Sequence, residues 1–312
     1  MNSTDTSEIN PYGYTPDRGV CFTFIILFGI SVFVHLVQTF YFKVWYWIPT
    51  TLLAGAGEIL GWAGRLWSTY NLFNSDAYTI QIVSLIIAPT PFIAAIFTAF
   101  GRLVMLLGPQ YSRLTPRKYS RIFITSDILC LVIQALGGAT ASGANTPSDA
   151  QAKLGGYLAL GGIALQLISL ICFVVLSSEF LLRYKYDKPY PRATSTSAFV
   201  TGYRRPRTER SVKLFIRGLA LATFFLFVRA IYRTIELADG WNGTVIHTQV
   251  YFNCFDGTMV FLAFFTMNLA HPGFLLGARA FKTEIERLAL AKFPATYQDQ
   301  NQMDLETAAS QS

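Results

Sequence analysis

Glu58, Arg65, Arg102, Asp127, Arg229, Arg233, Glu236 and Asp256 are ionisable residues set within long apolar stretches. A charge in such surroundings loses its hydration and must find a counter-charge or a polar cavity, so these residues mark internal sites. Spacing sorts them into two groups. Glu58 and Arg65 lie seven residues apart, on one face of a helix. Arg229, Arg233 and Glu236 follow at i, i+4 and i+7, again one face, and Asp256 comes three residues after Asn253 in the next apolar stretch. The three carboxylates and three arginines of this group cancel, as expected if they meet in one desolvated cluster. Within it, Glu58 and Asp256 are the deepest and the first candidates for ligand contact. The second group is Arg102, Asp127 and Gln134. Arg102 is expected to form a structural ion pair with Asp127, and Gln134, seven residues beyond Asp127, shares its face and leads into Gly137-Gly138. Both groups have a structural reading as pins that hold helices in register and a functional one as a substrate-binding or transport site.

The elements that must position these residues are transmembrane helices. Of 312 residues, 52% are hydrophobic and only 14% charged, against roughly 25% charged in a soluble domain. Crossing the hydrocarbon takes about 20 apolar residues, and seven stretches qualify: 20–41, 46–66, 78–105, 122–144, 154–181, 212–237 and 248–270. The expected fold is therefore all-α, a polytopic bundle of seven transmembrane helices over 20–280, with tails at 1–19 and 281–312. Continuous apolar runs exclude a β-barrel, which alternates. The first run lacks a basic n-region and a cleavage motif, so it reads as a span and not a removable signal peptide. Pro89 and Pro91 predict a kink in the third span. Gly155, Gly156, Gly161 and Gly162 offer a small-residue surface for close helix packing, and Trp45, Tyr46 and Trp47 read as an interfacial belt.

Charge sets the expected orientation. Nineteen of the 25 lysines and arginines fall in the segments on one side, and only Arg18 and Lys153 on the other. The positive-inside rule then places the amino terminus outside and the carboxyl terminus in the cytoplasm. Sequons at Asn2 and Asn242 fall on the outer side and are expected glycosylation sites. The basic loop 183–217 suits anionic inner-leaflet lipids and carries no sign of nucleic-acid binding, and 281–293 is patterned as an amphipathic surface helix.

Several classes of chemistry find no support. Cys21, Cys130, Cys172 and Cys254 lie within spans and read as small core residues, not disulfides. His35, His247 and His271 are scattered without a zinc-binding pattern, so neither metal nor other cofactor is expected. There is no phosphate-binding loop to power transport with ATP, and no lysine between Lys213 and Lys282 to hold retinal. Carboxylate pairs can serve as acid and base, but no nucleophile accompanies them, and an enzyme is not expected.

The strings EILGWAGR (58–65), Gln81 through Ala88-Pro89 to Gly101-Arg102, Asp127 with QALGG (134–138), RAIYRTIE (229–236) and Tyr251 with Asp256 form an ordered series. That series resembles the fungal RTA-like family of lipid-translocating exporters, over roughly residues 15–280. Two departures are Trp62, where the family usually has tyrosine, and His247-Thr248-Gln249, where an acidic residue often precedes the tyrosine. The resemblance implies an ATP-independent multi-pass protein of the plasma membrane, or another endomembrane, that moves or senses amphiphilic lipids such as sphingoid bases or sterol-like toxicants and contributes to drug resistance. On that reading Glu58 and Asp256 hold a cationic amine while the tail stays among apolar helices. The alternative is a seven-span lipid receptor signalling through the basic loop, although Phe100-Gly101-Arg102 and the seventh span lack the usual G-protein-coupled receptor motifs.

Overall fold

The computed structural model describes residues 12–142, 150–190, 210–240 and 243–276. Asn2, Asn242, residues 191–209 of the basic loop and the tail 281–312 lie outside the described residues. Among the described residues every regular element is helical. The helices are α1 (Arg18–Phe42), α2 (Trp47–Ser68), α3 (Ser75–Ile87), α4 (Pro89–Leu107), α5 (Pro116–Ser142), α6 (Ala150–Lys185), α7 (Arg210–Ala238), α8 (Gln249–Phe252), α9 (Thr258–Leu269) and the short α10 (Pro272–Leu276). A five-residue π turn, Asn253–Gly257, joins α8 to α9.

Among the described residues six segments are long and apolar enough to cross a membrane: α1, Asp76–Leu107 (α3 with α4), Pro116–Thr140 of α5, α6, α7 and Gln249–Leu276 (α8 to α10). The chain is a multi-pass membrane protein. The helix α2 has 22 residues but carries Glu58 and Arg65 and is not among the six. Its composition follows its position, since it packs against α1, α3 and α4. Contacts run from α1 through α2, α4, α5, α6, α7 and α9 back to α1, closing a ring.

Burial separates lipid-facing from core-facing residues. Along α1, Phe22, Ile26, Ile30, Phe33, Val37 and Phe40 are exposed, while Cys21, Phe24, Phe28 and His35 are buried. A helical stripe of bare large apolar side chains is unfavourable in water and suits hydrocarbon. The most enclosed spans are Asp76–Leu107 and Gln249–Leu276, in whose apolar 18-residue stretches 61% and 67% of residues are buried, against 28–33% in those of α1, α5, α6 and α7. Between the enclosed pair, Phe92 stacks on Phe264 with ring centroids 4.0 Å apart. At the end of the bundle opposite the amino terminus, Trp47 Nε1 donates to His35 Nδ1 (3.3 Å), and the His35 and His271 rings stand 6.1 Å apart. Scattered in sequence, these two histidines converge in space, yet among the described residues no group of three metal-binding side chains forms.

Several expectations change. The irregularity expected at Pro89 falls where α3 gives way to α4, while Ala88 between them keeps right-handed helical angles, so the span continues through the break. Of the belt residues, Trp45 is exposed, but Trp47 is fully buried in the histidine network. Cys21 and Cys130 are buried as expected, whereas Cys172 and Cys254 are exposed, because their helical faces turn away from the bundle. The glycine surface of α6 is also divided: Gly155 and Gly162 are buried, Gly161 exposed. A Cβ on Gly162 would lie 2.9 Å from the Cys130 carbonyl, and one on Gly137 would lie 2.4 Å from the Ala159 backbone nitrogen. Gly137→Ala is therefore expected to destabilise by about 1–3 kcal/mol through overpacking. Gly161→Ala, with nothing within 4 Å, should leave stability unchanged or slightly raised. Unfolding of both variants in neutral detergent checks the contrast.

Candidate functional site

The face of α2 that carries Glu58 is set by glycines on the adjacent face. Gly57, Gly61 and Gly64 lie against α3, where an added Cβ would come within 2.8 Å of Ala88 Cβ, 2.5 Å of Leu85 and 3.0 Å of the Gln81 nitrogen, respectively. This close approach leaves Glu58, Trp62 and Arg65 pointing inward, exposed by 2% or less. Trp62 stacks on Phe24 at 4.1 Å and lies over Gly257, where a Cβ would be 2.4 Å from its ring.

Arg229 and Arg233 of α7 form the centre of the site. Arg233 grips Asp256 with two donors, Nε to Oδ1 at 2.7 Å and Nη2 to Oδ2 at 2.5 Å, and its Nη1 donates to Glu236 Oε2 at 2.8 Å. Arg229 Nε stands 2.8 Å from Asp256 Oδ1 as an ion contact that lacks hydrogen-bond alignment. Its Nη2 donates to the Leu85 carbonyl at 2.7 Å. That carbonyl is available because its helical donor would be the nitrogen of residue 89, a proline. Tyr232 completes the group by donating to Glu236 Oε1 at 3.1 Å. Asp256 reaches both arginines from inside the π turn, an irregularity often found at functional sites.

A cavity of about 20 Å³ adjoins the arginines, lined among others by Asp127, Gln134, Gln166, Arg229 and Arg233. It is large enough for a water molecule and far too small for a lipid tail. Gln134 Nε2 donates to Gln166 Oε1 at 3.1 Å, and Gln166 Nε2 reaches Thr90 Oγ1 at 3.4 Å. Gln166 escapes a search confined to ionisable residues; its signal is an amide within an apolar span.

The structure thus joins Glu236, Arg229, Arg233 and Asp256 directly, and brings Asp127 and Gln134 to the same arginines across the cavity. Glu58 lies within electrostatic reach of Asp256, Arg229 and Arg233. Two expectations fail. Arg102 does not pair with Asp127: its guanidinium lies 3.5 Å above the Tyr46 ring. A Cβ on Gly101 would touch the Pro116 carbonyl, so Arg102 is level with the start of α5, and Asp127 sits eleven residues, about 16 Å, further along. Arg65 also stands outside the carboxylate cluster. It donates to the Tyr14 hydroxyl at 2.7 Å and lies 4.5 Å over Phe252, whose ring Arg233 approaches at 5.3 Å.

With Arg65 removed, the charges no longer cancel. Two arginines face four carboxyls, and Glu58 and Asp127 are the two that form no ion pair among the described residues. Glu58 Oε1 and Asp127 Oδ2 are buried with no hydrogen-bond partner among the described residues.

The RTA1-like protein family model matches residues 51–279, a stretch that contains every residue of this site. The chain belongs to the RTA1-like family. Its relatives include the sphingoid long-chain base transporter RSB1 of Saccharomyces cerevisiae, 30% identical over 86% of this chain and 75% of the relative. Protein RTA1 of the same yeast is 27% identical, with 84% of each chain covered. Protoporphyrin uptake protein 1, also from this yeast, is 24% identical over 84% of this chain and 91% of the relative. No solved structure matches the chain.

The ion pairs separate two kinds of carboxyl in this family member. Asp256→Asn leaves the buried Arg229 without an ion pair and Arg233 with Glu236 alone, and is expected to destabilise by about 3–5 kcal/mol. Glu58→Gln breaks no ion pair and should cost much less. Denaturant unfolding of the two variants tests this order, and the reverse order would show that Asp256 does not hold the cluster.

Proposed function

We propose that the protein moves amphiphilic lipids with a cationic amine headgroup across the plasma membrane without ATP. The observation that carries this reading is the pair of buried carboxyls, Glu58 and Asp127, each with an oxygen that has no partner. A protonated amine supplies the missing positive charge and the missing hydrogen bonds at once. Asp256, gripped by both arginines, acts as a positioning residue that ties the π turn before α9 to α7. This revises the expectation that Asp256 itself takes the amine.

The narrow cavity supports a division of labour between headgroup and tail. The amine and hydroxyls pass along Glu58, the arginine cluster, Asp127, Gln134 and Gln166, while the hydrocarbon tail remains in the surrounding bilayer against the exposed apolar faces. The relative named as a sphingoid long-chain base transporter supports this headgroup chemistry. In this reading α2 is a seventh span, enclosed by its neighbours. The amino terminus is outside and the carboxyl terminus cytoplasmic, with the basic segment 183–217 against anionic lipids. Sterol-like toxicants would share the path only where they carry a cation, and a contribution to drug resistance follows from their removal.

Purified protein in liposomes should accelerate transbilayer movement of a labelled sphingoid base without nucleotide. Glu58→Gln and Asp127→Asn should each slow it by about tenfold or more, the loss expected for one charge-assisted hydrogen bond. Equal rates in folded wild type, both variants and empty liposomes would overturn the transport reading.

A further inference from the structure

Arg65 is a buried cation that the amine path leaves unused. It is 1% exposed, forms no ion pair among the described residues, and its Nε has no partner. Around it stand the rings of Phe252, Tyr14, Tyr12 and Trp62, with centroids 4.5, 5.5, 5.6 and 5.9 Å from the guanidinium carbon. Cation–π contact offsets part of the desolvation cost, but rings do not satisfy guanidinium donors. Among the described residues it hydrogen-bonds to the Tyr14 hydroxyl, 2.7 Å away.

Two of the four rings come from the segment that precedes α1. Tyr12 is buried against Tyr78, and its phenol donates to Gln81 Oε1 at 2.6 Å and lies 2.8 Å from Ser68 Oγ. Burial pushes that phenol up to about 12, so it remains a donor. Gly13 between them has φ +70°, and an added Cβ would meet the His247 ring at 2.3 Å. The segment therefore closes over Arg65 as a turn held by side chains, and the Tyr14 oxygen occupies the position of an acceptor on the guanidinium.

We propose that Arg65 is the centre of a second ligand site, which takes the oxyanion headgroup of an amphiphile and which the Tyr12–Tyr14 turn covers when no ligand is bound. A phosphate or carboxylate would replace the neutral Tyr14 oxygen with a charged acceptor, engage the free Nε in the same fork, and place its chain along the apolar walls formed by Trp62 and Phe252. The site is independent of the amine path, because Glu58 and Asp127 take no part in it.

The test uses the full chain in a neutral maltoside detergent, with the unfolding midpoint followed against dodecyl phosphate concentration. Wild type should show a saturable rise. Arg65→Gln should need at least tenfold more ligand. Tyr14→Phe, which keeps the ring and removes the competing hydroxyl, should need several-fold less. Glu58→Gln should respond as wild type does, which separates this site from the amine path even if that path fails its own test. The proposal is overturned by equal responses in wild type and Arg65→Gln, by weaker binding in Tyr14→Phe, or by loss of the response in Glu58→Gln. Inorganic phosphate acting at the same concentration as dodecyl phosphate would also overturn it, since the ligand would then be a free anion. Should Arg65→Gln not fold, the direction of the Tyr14→Phe shift decides.

Discussion

Asp256 is shared between Arg229 and Arg233, and the arrangement of the helices depends on that sharing. Without it Arg229 has no counter-charge and Arg233 keeps only Glu236, too little for two guanidiniums buried on one face of α7. Through Arg229 the same face reaches the backbone of α3, through Asp256 it reaches the π turn before α9, and across the cavity it faces α5 and α6. The apolar contacts around this centre adapt to lipid or to one another with little preference, since hydrocarbon surrounds the bundle in either case. The polar contacts have no such latitude, and so they set helix register.

The sequence made much of this arrangement legible, for identifiable reasons. Arg229, Arg233 and Glu236 repeat at helical spacing, which announces a single face, and the apolar context of Glu58, Asp127 and Asp256 announces burial. What the spacing does not carry is the relative height of two helices. Arg102 and Asp127 are each plausible partners by charge, yet α4 and α5 meet with Gly101 against Pro116, which puts the two residues about 16 Å apart along the bundle. Arg65 stands apart from the carboxylates for a related reason. Its seven-residue offset from Glu58 puts both on one face but about 10 Å apart along the axis, far enough for aromatic rings to claim one and carboxylates to surround the other. His35 and His271 converge only after α1 and α9 pack, and no local pattern reports that.

Two departures from regular helix meet at the site. The π turn turns Asp256 toward α7, and Pro89 interrupts the hydrogen-bond ladder between α3 and α4. The Leu85 carbonyl that Pro89 frees finds its partner on Arg229, and the Asp256 side chain carried by the π turn finds its partners on Arg229 and Arg233. Locally unfavourable backbone and buried charge thus stabilise each other, which explains why the charged cluster sits where it does along the bundle.

The carbonyl that Pro89 leaves free has one further property. A carboxylate side chain in the cluster can change allegiance by turning toward a visiting cation. A peptide oxygen, held by the backbone, cannot. Arg229 therefore keeps one fixed mooring, at Leu85, whatever happens on its other side. An arginine so tethered can surrender its share of Asp256 for a moment and recover it without wandering, which makes the proline a device for reversibility as well as for shape.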